Sequence, residues 1–292
     1  MFIEFTANLK KNIPFDPSRR SAVLRAQATT REKLAQARFA DLYSDDDSRL
    51  SYILYYGIIY ALQMVTVLCS DLVRNHLNSQ PQKVFVHGSG FFPESYGLFH
   101  LFSLKGWDYK KTEFVLIERA QWRKYAKQLS PLPFTYHHKD FFEFNSYPKT
   151  LPSLYIFQNC VNEENSSNSY AIFRNKIYKL YDQIAPGSMI IITSVLSNNF
   201  TDLDSLFERI ERDLKTSSAK ILRSWNQQGA YWPQYDGPPS FGNLDILSSD
   251  RKNRFSLWLK NILVSSIIDK YGTDFIPLKT RCNFDLSLIL KP

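Results

Sequence analysis

The sequence has little cysteine. Cys69, Cys160 and Cys282 are the only three in 292 residues, they stand far apart, and none belongs to a C-x-x-C pair. This excludes a disulfide framework and a cysteine-built zinc site, and it fits a reducing, intracellular compartment. His87, His100, His137 and His138 also lack metal-ligand spacing, so no metal is expected and these histidines read as structural or exposed. No G-x-x-x-x-G-K-[ST], G-x-S-x-G or H-E-x-x-H occurs, which argues against P-loop, α/β-hydrolase and zincin chemistry. A secretory signal is lacking too: "MFIEFTANLKK" puts an acid inside its apolar stretch and the bases after it. The acid-poor first 40 residues leave organelle targeting open beside a cytoplasmic or nuclear place. One uncharged run, Leu50 to Cys69, has the length of a membrane span. Its apolar residues recur at helical spacing, however, and Tyr52, Tyr55, Tyr56 and Tyr60 tip one face with hydroxyls. It reads as a buried amphipathic helix.

Acids are scarcer than bases, 28 against 36, for a net charge of +8. The excess is concentrated. Residues 1–40 hold eight bases against three acids, and Lys105 to Lys139 again eight against three. The excess reads either as solvated helix faces that keep the protein soluble or as a surface for an acidic partner, RNA before others. With 44% apolar residues, 17 Tyr and 22 Phe, the chain has the composition of a folded protein with a large core. The division expected is a basic arm over 1–47 and one α/β domain over 48–292, the acidic "SDDDS" at Ser44 to Ser48 capping the long helix.

Beyond that break, strands and helices alternate. Strands are predicted at Lys83–His87, Glu113–Glu118, Phe134–His138, Ser153–Gln158 and Met189–Ser194, with helices at Tyr96–Leu104, Gln121–Gln128 and Tyr170–Ile184. A charged helix over Asp202–Lys215, a strand over Ala219–Trp225, a helix near Phe255–Ile268 and a closing strand over Cys282–Leu290 follow. The closing strand alternates apolar and polar residues, the period of an antiparallel edge pair. The fold class predicted is α/β: a doubly wound, mostly parallel sheet with an antiparallel closing strand.

In such a sheet ligands bind where strands end, so those residues carry the chemistry. "KVFVHGSGFFPES" ends the first strand in Gly88, Ser89 and Gly90, where missing side chains let a ligand reach the backbone. Glu118 ends the second, an acceptor-only carboxylate suited to two ribose hydroxyls. "HHKDFFEF" places Asp140 beside Phe141 after the third, an acid and a ring suited to a purine. "FQNCVNEEN" follows the fourth and offers Asn159 and Glu163, the latter a general base if burial raises its pKa. The loop "WNQQGAYWPQYDGPPSFGN" over 225–243 carries Tyr231, Trp232 and Tyr235 among Pro and Gly, either as a lid that stacks a substrate base or as a loop pinned by its own aromatics.

This order of residues resembles the class I S-adenosylmethionine-dependent methyltransferases, from Lys83 to Ser194 and again in the closing strand. "IAPGSMIIITS" is similar to that family's passage from helix to fifth strand. The resemblance implies a Rossmann-like fold and S-adenosylmethionine as cofactor. The glycine turn would lie against the methionine part, Glu118 would bind the ribose, Asp140 with Phe141 would read adenine, and Asn159 would face the methyl group. Two features depart from the family: Val86 stands where an acid is usual two residues before the first glycine, and no third glycine occurs near Phe92. Glu94 is placed to supply the missing carboxylate, while Phe91 and Phe92 are bulky enough to crowd the cofactor. "IPLKTRCNFDLSLIL" and the residues after the fourth strand look similar, more loosely, to fungal large-subunit ribosomal RNA uridine methyltransferases and their ribosome-assembly relatives. The expected function is methyl transfer to RNA, ribosomal RNA being the narrower form. Two alternatives stand beside it: a catalytically inactive methyltransferase-like assembly factor, and a nicotinamide-dependent oxidoreductase using the same glycine turn.

Overall fold

The computed structural model describes residues 43, 45–160, 167–195, 203–215, 219–224, 244–245, 281–282 and 284–292. The arm at 1–40, Glu163, the loop at 225–243 and the helix expected near 255–268 lie outside them.

Asp45 and Ser48 begin the first helix. The Asp45 carboxylate accepts from the Ser48 N–H and from its hydroxyl, each at 2.8 Å, and Asp46 and Asp47 add negative charge to the first turn, both favourable at a helix N-terminus. Helix α1 then runs Asp46–Leu68 and buries Leu50, Ile53, Ala61, Val65 and Leu68, so the uncharged run is a core helix. Among the described residues no helix is long and apolar enough to cross a membrane. Ser70 caps the short α2 (Asp71–His76) by accepting from the Val73 N–H.

The expected alternation follows as β1 (Lys83–His87), α3 (Glu94–Lys105), β2 (Glu113–Glu118), α4 (Arg123–Leu129), β3 (Thr135–His138), β4 (Ser153–Gln158), α5 (Ser167–Gln183), β5 (Met189–Val195), α6 (Leu203–Lys215) and β6 (Lys220–Ser224). A two-residue pair, β7 (Leu244–Asp245) with β8 (Arg281–Cys282), stands apart, and β9 (Phe284–Leu290) closes the main sheet. Its seven strands lie in the order β3-β2-β1-β4-β5-β9-β6. β1 pairs parallel with β2 and β4, β2 with β3, and β4 with β5, whereas β9 is antiparallel to both β5 and β6. The antiparallel direction of β9 is as predicted, and it pairs with β6 at the end of the sheet, β6 forming the edge. Both faces of β9 are covered. Ser287, which reads as a solvent-side residue, is fully buried and donates to Glu211 on α6 at 3.3 Å.

Successive residues of a strand point to opposite faces, and two cores result. Val84, Val86, Leu116, Ile156 and Ile191 pack with α1, α3 and α4 on one face; Phe85, Val115, Tyr155, Phe157 and Ile190 pack with α5 and α6 on the other. Gly97 brings α3 against α1, since a Cβ there would lie 2.6 Å from the Met64 carbonyl oxygen. The connection from β3 to β4 holds no helix. Residues 139–152 instead form a strap that lays Phe144 and Tyr147 over the second face, Tyr147 edge-on to Phe85 and Tyr155.

Candidate functional site

The sheet changes direction of growth at β1, which neighbours β2 on one side and β4 on the other, and a crevice forms at the carboxyl ends of such strands. Here it is a cleft whose envelope, counting the space open to solvent, is about 730 Å³. Gly88, Ser89, Gly90, Glu94, Glu118, Phe141 and Asn159 all line it, so six residues read from strand ends and one read from a helix start meet in one place. Asp140 is not among the lining residues. Its carboxylate caps its own strap, accepting from the Phe142 N–H at 2.9 Å, and lies 4.0 Å from Arg119. Phe142 lines the cleft instead. Glu163, Tyr231, Trp232 and Tyr235 lie outside the described residues.

The floor is the glycine turn. Gly88 and Gly90 have φ of +61° and +49°, the left-handed region that glycine enters without a Cβ penalty. A Cβ on Gly88 would meet the Cys160 sulfur at 2.8 Å, while one on Gly90 would meet nothing within 4 Å. Gly88 is therefore required by packing, and Gly90 leaves backbone open to the cleft. The third glycine expected near Phe92 has a counterpart in geometry: Phe92 itself has φ +65°, a sparsely populated conformation for a bulky residue. Its side chain is buried in the α3 core against Phe134 and does not line the cleft, which corrects the expected crowding. Phe91 does line it, as a wall beside Trp122.

Two carboxylates face this floor. Glu118 accepts from the Gly90 N–H at 2.9 Å and the Ala120 N–H at 2.7 Å, one on each oxygen, which fixes the turn. Glu94, at the start of α3, is 1% exposed, and its Oε2 has no hydrogen-bond partner among the described residues. Burial, and then the nearby charge of Glu118, raise its pKa well above the ordinary carboxylate value. The Ser89 hydroxyl and Gln158 Oε1 are likewise buried without partners, and both residues line the cleft. Such orphaned polar atoms cost stability unless a ligand or water meets them.

The opposite wall was not read from the sequence. Tyr43, Tyr52 and Tyr60 project from α1 and the residues before it, and Trp122 from the start of α4. Gln63 of α1, fully buried, accepts from the Asn159 amide and from the Gln158 amide, each at 2.9 Å, and donates to Asn159 at 3.3 Å. This pairing holds Asn159, at φ +56°, beneath the helix. The tyrosine spacing in "LSYILYYGIIY" was visible as a polar-tipped face, yet nothing local says that the face meets the sheet end.

A doubly wound sheet with this strand order, one antiparallel strand between the last two parallel ones, and its crevice at a glycine turn followed by an acid defines the Rossmann-like methyltransferase fold. No protein-family model matches the chain, and no curated protein matches it. Among solved structures it is similar to the plantazolicin methyltransferase BamL, solved with a triazolic desmethylPZN analog and SAH, at 15% identity and a TM-score of 0.47 over 93% of this chain and 99% of that one. It is similar also to a SAM-dependent methyltransferase of Leishmania major, at 14% and 0.39 over 60% and 78%, and to the N-methyltransferase NodS of Bradyrhizobium japonicum, at 11% and 0.41 over 80% and 97%. None of the three is named for RNA, and the looser likeness to ribosomal RNA uridine methyltransferases finds no counterpart among them.

Proposed function

We propose that this chain is an S-adenosylmethionine-dependent methyltransferase. The observation that carries the reading is the conjunction, in one cleft at the sheet's switch point, of open glycine backbone at Gly90 with the buried carboxylates Glu118 and Glu94. The residues fit that cofactor. Glu118, oriented by two backbone amides, is an acceptor-only carboxylate suited to a ribose diol. The unpaired Glu94 Oε2 and the Ser89 hydroxyl suit an ammonium group, and a cation there would favour the ionised form of Glu94. Phe141 and Phe142 offer apolar faces for a purine, without the acid expected from Asp140. S-adenosylmethionine supplies an electrophilic methyl group when bound. The chain's own part is to orient and to exclude water: α1 roofs the cleft with Tyr52 and Tyr60, and Gln63 fixes Asn159 where an acceptor would be held. Val86, the departure from the family pattern, is fully buried in the core, and Glu94 offers the carboxylate that it lacks.

For the acceptor we propose RNA. Arg119, Arg123 and Lys139 are exposed and follow the carboxyl ends of β2 and β3, on the side of the sheet where the cleft opens, and an electropositive rim favours a phosphate backbone.

Thermal unfolding with S-adenosylhomocysteine, NAD and NADP tests the cofactor. Ligand at about 100 times its dissociation constant adds about 2.7 kcal/mol, so S-adenosylhomocysteine should raise the midpoint, and Glu118→Ala should weaken the shift. A shift with NAD instead would favour the oxidoreductase, and no shift with any of them would favour the inactive assembly factor.

A further inference from the structure

The strap over 139–152 supplies one wall of the cleft and has no helix of its own to hold it. Its first aromatic residues, Phe141 and Phe142, lie with ring centroids 4.2 Å apart, and Phe141 meets His87, Phe157 and Phe173 edge-on. Further along, Phe144 and Tyr147 pack over the second face and Tyr147 bonds to His87, and one buried cation reaches the strap between them. Lys176 of α5 is 4% exposed. Its ammonium donates to the Phe144 carbonyl at close range, to Asn145 Oδ1 at 3.3 Å and to the Phe142 carbonyl at 3.4 Å, and it lies 5.3 Å from the centre of the Tyr147 ring. All four partners belong to the strap. Among the described residues no carboxylate forms an ion pair with it, and burial lowers its pKa to about 8.

A charge in that position is costly, because desolvation is offset only by neutral oxygens and a ring. Packing does not require it. Its neighbours along α5, Phe173, Ile177 and Leu180, fill the core against the sheet, and an apolar residue would continue that pattern. The charged groups around it are Asp140 on the strap and Lys179 on its own helix; His87 of β1 faces it as well, kept neutral by burial.

We propose that Lys176 is a positioning residue for the cofactor site: it ties the strap to α5 and so sets Phe141 and Phe142 as the wall against which a planar ring stacks. The proposal rests on the cofactor reading above. Titration calorimetry of S-adenosylhomocysteine into the full chain compares the wild type with Lys176→Met and Lys176→Arg. Lys176→Met leaves the strap carbonyls without their donor and should weaken binding by about tenfold or more, and Lys176→Arg, which keeps charge and donors, should stay within about threefold of wild type. Hydrogen exchange on the same proteins should show faster exchange at Phe142 and Glu143 in Lys176→Met, with the amides of β1 and β4 unchanged. Equal binding by wild type and Lys176→Met, or equal weakness of both variants, overturns the proposal. So does loss of protection throughout β1 and β4, because the lysine would then support the whole sheet. A wild type that binds no S-adenosylhomocysteine overturns the cofactor reading instead, and the exchange contrast still decides whether Lys176 holds the strap.

Discussion

His87 ends β1 with no exposed surface, its ring stacked on Phe157 at 4.0 Å. Nε2 lies 2.9 Å from the Tyr147 hydroxyl and Nδ1 3.3 Å from the Ile156 carbonyl. A carbonyl only accepts, so Nδ1 carries a proton, and in the neutral ring Nε2 accepts from the Tyr147 hydroxyl. Burial accordingly lowers the folded pKa from 6.5 to about 3. Between those values the unfolded chain binds a proton that the native state refuses. The contribution of His87 is therefore present above 6.5 and is lost as pH falls from 6.5 toward 3. His87→Phe keeps the stacking, leaves the Tyr147 hydroxyl unpaired and removes this titration. Urea unfolding at about pH 7 and about pH 5 should show a smaller loss of stability on acidification in His87→Phe than in wild type; equal losses would refute the assignment. Of the cleft's residues, Gly88, Gly90 and Glu118 were legible because a strand's end is marked by its own sequence. The φ of Phe92 was not, since nothing local to a phenylalanine announces a left-handed backbone.

At the scale of elements, the contact between α1 and α3 shapes the roof of the cleft. Gly97 faces the Met64 carbonyl group so closely that an added Cβ would lie 2.6 Å from its oxygen and 2.7 Å from its carbon, and backbone atoms cannot swing aside. Gly97→Ala should move the two helices apart, at about 1 to 3 kcal/mol as for other overpacked cores. Because α1 carries Tyr52, Tyr60 and Gln63, affinity for S-adenosylhomocysteine should fall with it. Denaturant midpoints and calorimetry on one preparation read both effects, and an alanine variant as stable as wild type would show that the helices have room. The elements themselves were largely legible: β1, β2 and β4 fall on their predicted bounds, as their apolar runs require of strands buried on both faces. The burial of both faces of β9 was not. Alternation along Phe284 to Leu290 suggested one wet face, whereas Ser287 faces Glu211 inside the protein, a partner 76 residues away that no local pattern reveals.

For the molecule as a whole, charge is the property that reaches furthest. Arg123 and Lys127 on α4 are exposed, with Arg119 and Lys139 at the neighbouring strand ends. If these bases contact RNA phosphates, the affinity for structured RNA should fall with salt at a log-log slope of about 0.7 to 0.9 per phosphate contacted. Arg123→Ala with Lys127→Ala should then reduce that slope by about 2 while leaving S-adenosylhomocysteine binding intact. Salt-independent binding, or an unchanged slope in the double variant, would move the acceptor away from nucleic acid. The strand order has a temporal side as well. β9 comes after every other described strand in sequence and yet separates β5 from β6, so during synthesis β6 has no partner in the sheet until β9 has emerged. Through that interval the edge of β5, apolar from Met189 to Ile192, is unpaired, a surface open to pairing with other chains. The vulnerable period in the life of this protein is thus the wait for its closing strand, and its solubility in a cell depends on how quickly that strand arrives.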